Sequence, residues 1–288
     1  MKVDIITPFK MQWLEGYKKV FSQCSIFNSP FEFIDDGEIK IFMWCNQDTV
    51  DYVNKYGHLY KIVVFIRRYE YYTYWIENIN WKNVDAVICV NDFIAEGIEQ
   101  RANRVKPFVI YNGILPELWR YKERKHGKKI AMVGYINQKK NLPLAIQILS
   151  KLPKDYELHL AGEIQCYATM DYLSELSRSL KRTIVYHGHQ DNINLWLDAI
   201  DANYVLNTAI SEGNPNNIIE GMAKGIKPIV HCWAGAYEQF GEYVYRTIDD
   251  AVEMIVNGEY CSKEYREIVE RKFGFKQYQK VKEVVDNL

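Results

Sequence analysis

Two carboxylates, Glu212 and Glu220, stand eight positions apart at either end of a turn that leads into a predicted helix. Asn214 suits the N-cap of this helix, and Pro215 suits its first position, where no backbone N–H is needed. Gly225 is placed to end the helix, just before a short apolar strand. The segment therefore predicts a turn, a short helix and a strand, with one glutamate before the helix and one inside it.

This arrangement has the donors and acceptors that a nucleotide requires. The backbone N–H groups of Asn216, Asn217 and Ile218 would lie free at the positive end of the helix, which is a favourable site for phosphate. Glu220 would lie about one turn inside, where a carboxylate can accept hydrogen bonds from two neighbouring hydroxyls, as on a ribose. Phosphate donors beside a diol acceptor indicate a nucleoside diphosphate, with Glu212 at its far end. The alternative is that both glutamates only support an ordinary helix start.

A candidate cation follows another predicted strand, at residues 129–133. This strand ends at Gly134, and Lys139 and Lys140 precede the next helix. Open parallel sheets bind ligands at the carboxyl ends of their strands, so a lysine here would lie at the binding edge. The alternative is a solvated pair of surface lysines.

Apolar segments of strand length alternate with helical patterns along the chain. In the first part, strands are predicted at residues 3–7, 39–44, 62–66, 86–90 and 108–111. In the second part, strands are predicted at residues 129–133, 157–161, 183–186, 203–207 and 227–231. Such alternation favours doubly wound parallel sheets, and we expect an α/β protein with two of them side by side.

A polar, charged segment at residues 116–127 separates the two series of strands and is the predicted linker. We expect a short N-terminal domain at residues 1–125 and a second domain at residues 126–261. Residues 262–288 are charged and helical, with a break near Gly274. The helices predicted between the strands include residues 47–55, 92–101, 142–152, 170–180 and 193–199.

Composition limits the class of protein. The chain has 288 residues, of which 48% are apolar and 25% charged, as in a soluble globular protein of two domains. A formal net charge of −1 gives no electrostatic basis for binding nucleic acid or a strongly anionic membrane. No apolar segment approaches the ~20 residues that span a bilayer. The N-terminus lacks the shape of a signal peptide, and six cysteines lack any ligand spacing, so we expect a cytoplasmic protein with reduced thiols.

Several nucleotide-binding signatures are absent from the sequence. No G-x-G-x-x-G follows a strand and no G-x-x-x-x-G-K-[ST] occurs, which argues against nicotinamide, flavin and Walker-type sites. An Asp-x-Asp pair, which a sugar transferase normally has when it holds its diphosphate through a divalent metal, is also missing. A diphosphate bound here would have to be neutralised by protein cations and helix N–H groups alone.

Several motifs, in a fixed order, resemble those of one known family. They are Val133-Gly134 followed by Lys140-Asn141, Leu160-Ala161-Gly162-Glu163, Tyr186-His187-Gly188, Leu197-Asp198-Ala199, and Ser211-Glu212-Gly213 followed by Glu220-Gly221-Met222-Ala223. Residues 85–92 and 109–114 match as well. Over about residues 84–242 the chain thus resembles the retaining glycosyltransferases of family 4, which have two Rossmann-like domains facing a cleft, the GT-B fold.

The resemblance implies roles for the matching residues. Glu220 aligns with the glutamate that holds the ribose hydroxyls, and Glu212 with the one beside the transferred sugar and the reacting centre. Lys140 matches the lysine that contacts the diphosphate, and residues 187–189 lie where the base is bordered. The other expected donor-site residues are Gly134, Tyr135, Lys139, Gly162, Glu163, Gly213, Asn214, Asn216, Asn217 and Ile218.

The chain departs from the family in two places. Tyr135 stands where the family usually has an arginine that contacts phosphate, and Lys139 is the candidate substitute. The N-terminal part is short and lacks the glycine-rich loop and the histidine that family members often supply. Its only histidine, His58, has no similar context.

An aromatic and charged segment at residues 65–75 follows a predicted strand and would face the cleft. Arg67, Arg68 and Glu70 are its candidate acceptor residues, since aromatic faces beside charged donors suit a carbohydrate or a lipid-linked acceptor. The alternative is an aromatic helix packed on its own sheet, with Glu70 paired to an arginine.

The resemblance implies an enzyme that moves a hexose from a nucleoside diphosphate sugar to a hydroxyl acceptor, with retention at the anomeric carbon. It implies no metal or other cofactor and allows peripheral membrane contact, and residues 262–288 would brace the first domain, as in similar folds. Two alternatives stay open: a non-catalytic sugar-nucleotide-binding partner subunit, and a sugar-nucleotide epimerase of the same fold. The base, sugar, acceptor and oligomeric state are also open.

Overall fold

The computed structural model describes residues 2–9, 13–32, 37–102 and 105–288. The chain divides into two compact units, one of Met1–Leu115 with Lys272–Leu288 and the other of Pro116–Arg271. Each unit contains one six-stranded sheet whose strands all pair in parallel. The predicted α/β fold with two doubly wound parallel sheets is therefore confirmed.

The first unit alternates strands and helices in chain order. Its strands are β1 (Val3–Ile6), β2 (Cys24–Phe27), β3 (Ile39–Phe42), β4 (Lys61–Ile66), β5 (Ala86–Cys89) and β6 (Phe108–Val109). The helices between them are α1 (Leu14–Val20), α2 (Gln47–Tyr56), α3 (Arg68–Tyr71), α4 (Trp75–Asn78) and α5 (Asp92–Arg101). The sheet order is β2-β1-β3-β4-β5-β6. Asn46 and Asn91 cap α2 and α5, because their side chains accept backbone N–H groups of the first turn.

The second unit repeats this plan. Its strands are β7 (Lys129–Val133), β8 (Glu157–Ala161), β9 (Thr183–Tyr186), β10 (Tyr204–Asn207), β11 (Lys227–His231) and β12 (Val244–Tyr245). Its helices are α6 (Leu142–Lys151), α7 (Tyr167–Leu180), α8 (Ile193–Ala199), α9 (Asn216–Ala223), α10 (Ala236–Phe240), α11 (Ile248–Val256) and α12 (Ser262–Ile268). The sheet order is β12-β11-β10-β7-β8-β9, so the loops that follow β7 and β10 leave neighbouring strands at the same edge.

The last part of the chain contains the predicted break. After α12 the chain forms a π-helical turn, Val269–Phe273, and it then continues as α13 (Lys276–Asp286), so the break near Gly274 is confirmed. Helix α13 belongs to the first unit, where the ring of Tyr278 packs 5.0 Å from that of Tyr17 on α1. Short 3-10 turns occur at Gly57–Leu59, Trp81–Asn83, Pro116–Leu118, Gln138–Lys140 and Gly241–Tyr243.

The two units divide after Leu115 and Arg271, whereas the sequence placed boundaries at residues 125 and 261. Both differences have the same cause. Arg266 of α12 donates hydrogen bonds to the carbonyl oxygens of Pro116 and Trp119, each at 2.9 Å. These contacts hold the predicted linker and the start of the C-terminal segment together within the second unit.

Both faces of the first sheet are buried, as expected of a parallel sheet covered by helices. Val3, Ile5 and Ile41 lie in one apolar cluster, and Phe42 and Val64 lie in the cluster on the other face. Strands β2 and β12 were not predicted, because β2 is only partly buried and β12 has two residues. Within the described ranges, no helix is both long enough and apolar enough to cross a bilayer.

Candidate functional site

Three glycines follow the strands β7, β8 and β9 at one edge of the second sheet. Gly134, Gly162 and Gly188 have φ angles of 141°, 152° and 71°. The N–H of Gly134 donates to Ala161 O and the N–H of Gly162 donates to Gly188 O, each at 2.9 Å. A Cβ atom on Gly162 would lie 1.9 Å from Gly134 O. The first two turns therefore approach so closely that only glycine fits at position 162.

The side chain of Lys140 crosses the first of these glycines. A Cβ atom on Gly134 would lie 3.1 Å from the Cε of Lys140, which explains why a glycine precedes this lysine loop. The loop is fixed at both main-chain groups of Lys140: its N–H donates to Asn137 Oδ1 at 3.1 Å, and its carbonyl accepts from Thr208 Oγ1 at 2.7 Å. The lysine is therefore held at the carboxyl edge of the sheet.

Lys140 forms an ion pair with Glu212. Its Nζ lies 2.5 Å from Oε1 of Glu212, and the two side chains are only 14% and 9% exposed. The main chains also meet, since the N–H of Ile210 donates to Lys139 O at 3.1 Å. Two residues that the sequence assigned to one site thus lie in direct contact, with little water around either charge.

Helix α9 begins one residue later than the sequence indicated. Its N-cap is Pro215 and its first residue is Asn216. Asn214, predicted as the N-cap, instead donates from Nδ2 to Oε1 of Gln239. The N–H of Ile218, predicted to be free for phosphate, donates to Pro215 O at 3.2 Å in a tight first turn. Both of these expectations were wrong.

Asn217 connects the start of α9 to the end of β7. Its Nδ2 donates to Val133 O at 2.7 Å, one residue before Gly134. Its backbone N–H has no partner in the described part of the chain. An open donor of the helix start therefore lies near the glycine turn and the lysine loop.

Glu220 is the fifth residue of α9 and lies three positions after Asn217, on the same face of the helix. Its carboxylate is only partly exposed and has no hydrogen-bond partner among the described residues. Burial raises the pKa of this carboxyl to about 7. A desolvated acid without a partner is costly to the fold and is typical of a position where a ligand supplies the missing hydrogen bonds.

The end of α9 follows the sequence prediction. Gly225 has a left-handed conformation with φ 78°. Its N–H donates to Met222 O at 2.9 Å, and the N–H of Ile226 donates to Gly221 O at 3.1 Å. This is the Schellman pattern, for which glycine is the favoured residue.

Two residues that hold the Glu212 loop were missed from the sequence. Gln239 of α10 bonds to the main chain of Gly213 as well as to Asn214, and Nδ1 of His231 lies 2.9 Å from Ala209 O. Neither side chain is close to the loop in the sequence. No motif marks them, so only the folded structure brings them to the loop.

The residues expected to border the nucleotide base are more exposed than Lys140 and Glu212. The side chain of Tyr135 is 49% exposed, and Glu163 is also exposed. The hydroxyl of Tyr186 donates to Gly162 O at 2.9 Å. Residue 187 of the expected loop is a half-buried histidine whose pKa is lowered, first by burial and then by the charge of His159.

Arg67 and Glu70 lie in the first unit, directly after β4. Nε of Arg67 donates to Met43 O at 3.1 Å, and its guanidinium lies 4.6 Å from the ring centroid of Trp44. Nη1 of Arg67 donates to Asn112 Oδ1. The arginine is therefore held among aromatic rings at the carboxyl edge of the first sheet.

Glu70 is fully buried and accepts the backbone N–H of Arg67 on Oε2 at 3.2 Å. Burial raises the pKa of the Glu70 carboxyl to about 7. Arg68 lies over the ring of Tyr72, 5.5 Å from its centroid. Glu70 is thus too buried to contact a bound molecule, and it holds the loop that carries Arg67. The segment forms the two short helices α3 and α4 rather than one aromatic helix.

Across residues 2–9, 13–32, 37–102 and 105–288, no group of three or more His, Cys, Asp or Glu side chains could hold a metal ion. All six cysteines are free thiols.

Residues 127–258 match the family model of the glycosyl transferases group 1. The whole chain also superposes on several solved structures at low sequence identity. HepE from Anabaena in complex with UDP has a TM-score of 0.75 and 14% identity, with 100% of each chain covered. The lipopolysaccharide outer core galactosyltransferase WaaB has a TM-score of 0.74 and 16% identity, with 100% of this chain and 99% of that chain covered.

A glycosyltransferase from Rickettsia africae has a TM-score of 0.70 and 15% identity, and the match covers 100% of this chain and 91% of that chain. No curated protein sequence matches this chain. At such identities the structural likeness shows the fold alone. The chain has the GT-B fold, and residues 127–258 are similar to the glycosyl transferases group 1.

Proposed function

We propose that this protein moves a hexose from a nucleoside diphosphate sugar to a hydroxyl acceptor, with retention at the anomeric carbon and without a metal ion. The observation that carries the proposal is the Lys140–Glu212 ion pair, together with Glu220 of α9, which has no hydrogen-bond partner among the described residues. Together these residues supply a cation for a diphosphate, a carboxylate near the sugar and an acceptor for the ribose.

The ribose role of Glu220 follows from its environment. An ionised carboxylate can accept two hydrogen bonds from a vicinal diol. Because the residue lacks a partner in the described structure and burial disfavours its charged form, a bound diol would stabilise that form. Asn217 lies on the same face of α9, so the proposed phosphate donor, its backbone N–H, and the diol acceptor belong to the same part of the helix.

The diphosphate role of Lys140 follows from its position over Gly134. Transfer leaves negative charge on the nucleoside diphosphate, and a cation that is already in place stabilises this charge without reorganisation. Glu212 keeps the ammonium in position before the donor binds. The absence of an Asp-x-Asp pair from the sequence is the reason to expect that these groups act without a metal.

The relatives suggest which donors to test first. Solved complexes of HepE contain UDP or UDP-glucose, and a pneumococcal O-GlcNAc transferase of similar fold was solved with UDP and GlcNAc. We therefore propose a UDP-hexose as the donor. The acceptor is proposed to bind the first unit near Arg67, and the protein is proposed to act in the cytoplasm, with peripheral membrane contact for a lipid-linked acceptor.

Nucleotide release tests the proposal. The purified protein is given UDP-glucose, UDP-galactose or UDP-GlcNAc with a panel of sugar and lipid-linked acceptors, in the presence of EDTA. We expect UDP release that depends on an acceptor, and an NMR spectrum of the product that shows the anomeric configuration of the donor. Tight donor binding without any release would instead indicate a partner subunit, and an altered sugar on an intact nucleotide would indicate an epimerase.

A further inference from the structure

One buried amide holds the chain between Glu212 and helix α9. Gln239 of α10 is 1% exposed. Its Nε2 donates to Gly213 O at 2.8 Å and to Gly235 O at 3.0 Å, and its Oε1 accepts from Nδ2 of Asn214. Both donor hydrogens and the acceptor oxygen of this side chain are therefore used.

Two of the residues that Gln239 holds, Gly213 and Asn214, are consecutive in the sequence. Gly213 and Asn214 are the two residues that directly follow Glu212, and Pro215 then caps α9. The side chain of Asn214 is itself only 7% exposed and is directed to Gln239. Gln239 therefore bonds to both residues that link Glu212 to Pro215, the N-cap of α9.

We propose that Gln239 is a positioning residue for the donor site, which places Glu212 relative to the start of α9 without touching the donor. This inference rests on the proposed glycosyl transfer. It also reassigns the side chain of Asn214, which acts through Gln239 rather than through a contact with the nucleotide sugar.

Gln239 and Lys140 restrain Glu212 in different ways. Lys140 holds the carboxylate through Nζ, whereas Gln239 holds the main chain that follows it. Loss of Gln239 leaves the ion pair in place but allows the turn to shift. Since small displacements of a reacting group reduce the rate more than they reduce binding, the effect is expected in kcat more than in KM.

The substitution Gln239→Glu gives a test that depends on pH. An ionised carboxylate has no hydrogen to donate, so it would repel Gly213 O and Gly235 O. A protonated carboxyl has one donor and one free acceptor oxygen, and it can restore the bonds to Gly213 and Asn214. We expect the kcat of this variant to be roughly tenfold or more below the wild type at pH 8. The ratio of the two rates should recover as the pH falls towards 5.

Two further variants separate positioning from general damage. Gln239→Leu cannot recover at low pH, because it has no polar group in either state. Gln147→Glu makes the same substitution at an exposed position of α6 and should keep wild-type kcat throughout. A constant ratio for Gln239→Glu across the pH range, with Gln147→Glu unchanged, would overturn the proposal.

Amide hydrogen exchange provides a readout that does not depend on the reaction. In Gln239→Leu we expect faster exchange in residues 209–214 and unchanged exchange in the strands of the second unit. If the wild-type protein transfers no sugar, the proposed function fails, and exchange still decides whether Gln239 holds the turn. Unchanged exchange in residues 209–214 would show that it does not. If Gln239→Leu does not fold, exchange in residues 209–214 of Gln239→Glu is compared with that of the wild type at pH 5 and again at pH 8, so that the intrinsic dependence of exchange on pH cancels.

Discussion

Nζ of Lys140 lies 2.5 Å from Oε1 of Glu212, although the two residues are 72 positions apart in the sequence. They meet because β7 and β10 are paired at the centre of the second sheet and their loops leave the same edge. Each charged side chain is mostly shielded from water, so either charge would destabilise the folded protein if the other were removed. The pair is thus a preformed charge arrangement, and its two members can be tested separately.

Glu212→Gln removes the negative charge and keeps the size of the side chain. We expect kcat for UDP-hexose transfer to fall roughly 10²-fold, because a preorganised charge near the reacting centre is lost. The affinity for UDP should change little, since Lys140 remains. Steady-state kinetics and calorimetry with UDP measure the two quantities. A loss of UDP affinity as large as the loss of rate would place Glu212 at the nucleotide instead.

Lys140→Met tests the other member of the pair. The thioether keeps the apolar contact over Gly134 but lacks the charge for a diphosphate. We expect UDP to bind at least roughly tenfold more weakly, because a charge-assisted contact is lost. Uridine has no phosphate and is the matched ligand, so its affinity should stay unchanged. Equal losses for UDP and uridine would argue against a diphosphate contact.

Glu220 predicts a dependence of nucleotide affinity on pH. Its pKa is about 7 in the free protein, so the carboxyl is mostly protonated at pH 6 and mostly ionised at pH 8. The ligand for this test is UDP-glucose, because its diphosphate has no ionisation between pH 6 and pH 8, whereas the terminal phosphate of UDP titrates at about pH 6. Because the ionised form of Glu220 accepts both ribose hydroxyls, UDP-glucose affinity should rise roughly tenfold between these values. The Kd measured by calorimetry in Glu220→Gln should be flat across the same range. The Kd of 2′,3′-dideoxy-UDP-glucose with the wild type should also be flat, and a pH effect that persists with this ligand would contradict the diol role.

The sequence was most informative where local patterns decide the structure. Strands β7, β8, β9 and β11 begin and end at the predicted residues, because each is an apolar run bounded by polar or glycine positions. The turn at Gly225 was predicted for the same reason, since a left-handed helix end depends on one residue type. Four of the six strands of the second sheet, with both of their ends, could therefore be derived from sequence alone.

Contacts between distant segments account for what the sequence did not predict. Asn214 is of a residue type that is favoured at N-caps. Its side chain nevertheless donates a hydrogen bond to Gln239 of α10, and the helix starts one residue later. The first domain was predicted to extend to residue 125 within the charged linker, but Arg266 holds the start of this linker in the second unit. Such partners are far apart in the chain and carry no local signal, so they become visible only in the folded structure.

Gly162→Ala tests the close approach of the two glycine turns. The added Cβ would lie 1.9 Å from Gly134 O, and a φ of 152° is strained for alanine. We expect a loss of UDP affinity and of thermal stability, on the order of 1–3 kcal/mol in unfolding free energy. Gly188→Ala is the matched control, because nothing lies within 4 Å of its Cβ although its φ is 71°. Similar losses in both variants would attribute the effect to backbone strain and not to the contact with Gly134.

Glu70 predicts a pH effect on the stability of the first unit. Burial raises the pKa of its carboxyl from the ordinary 4.5 to about 7 in the folded protein. The protonated carboxyl is favoured in the folded state, so the resulting stability is fully present below pH 4.5 and is lost as the pH rises through 7.

Glu70→Gln keeps an acceptor for the N–H of Arg67 and removes the charge. The variant should therefore gain stability relative to the wild type as the pH rises from 5 to 8, by on the order of 3 kcal/mol. Urea denaturation at each pH measures this difference, and the exposed Glu96→Gln should show none. If Glu70→Gln is destabilised equally at pH 5 and pH 8, the carboxyl is ionised throughout, and its charge rather than its hydrogen bond holds the Arg67 loop.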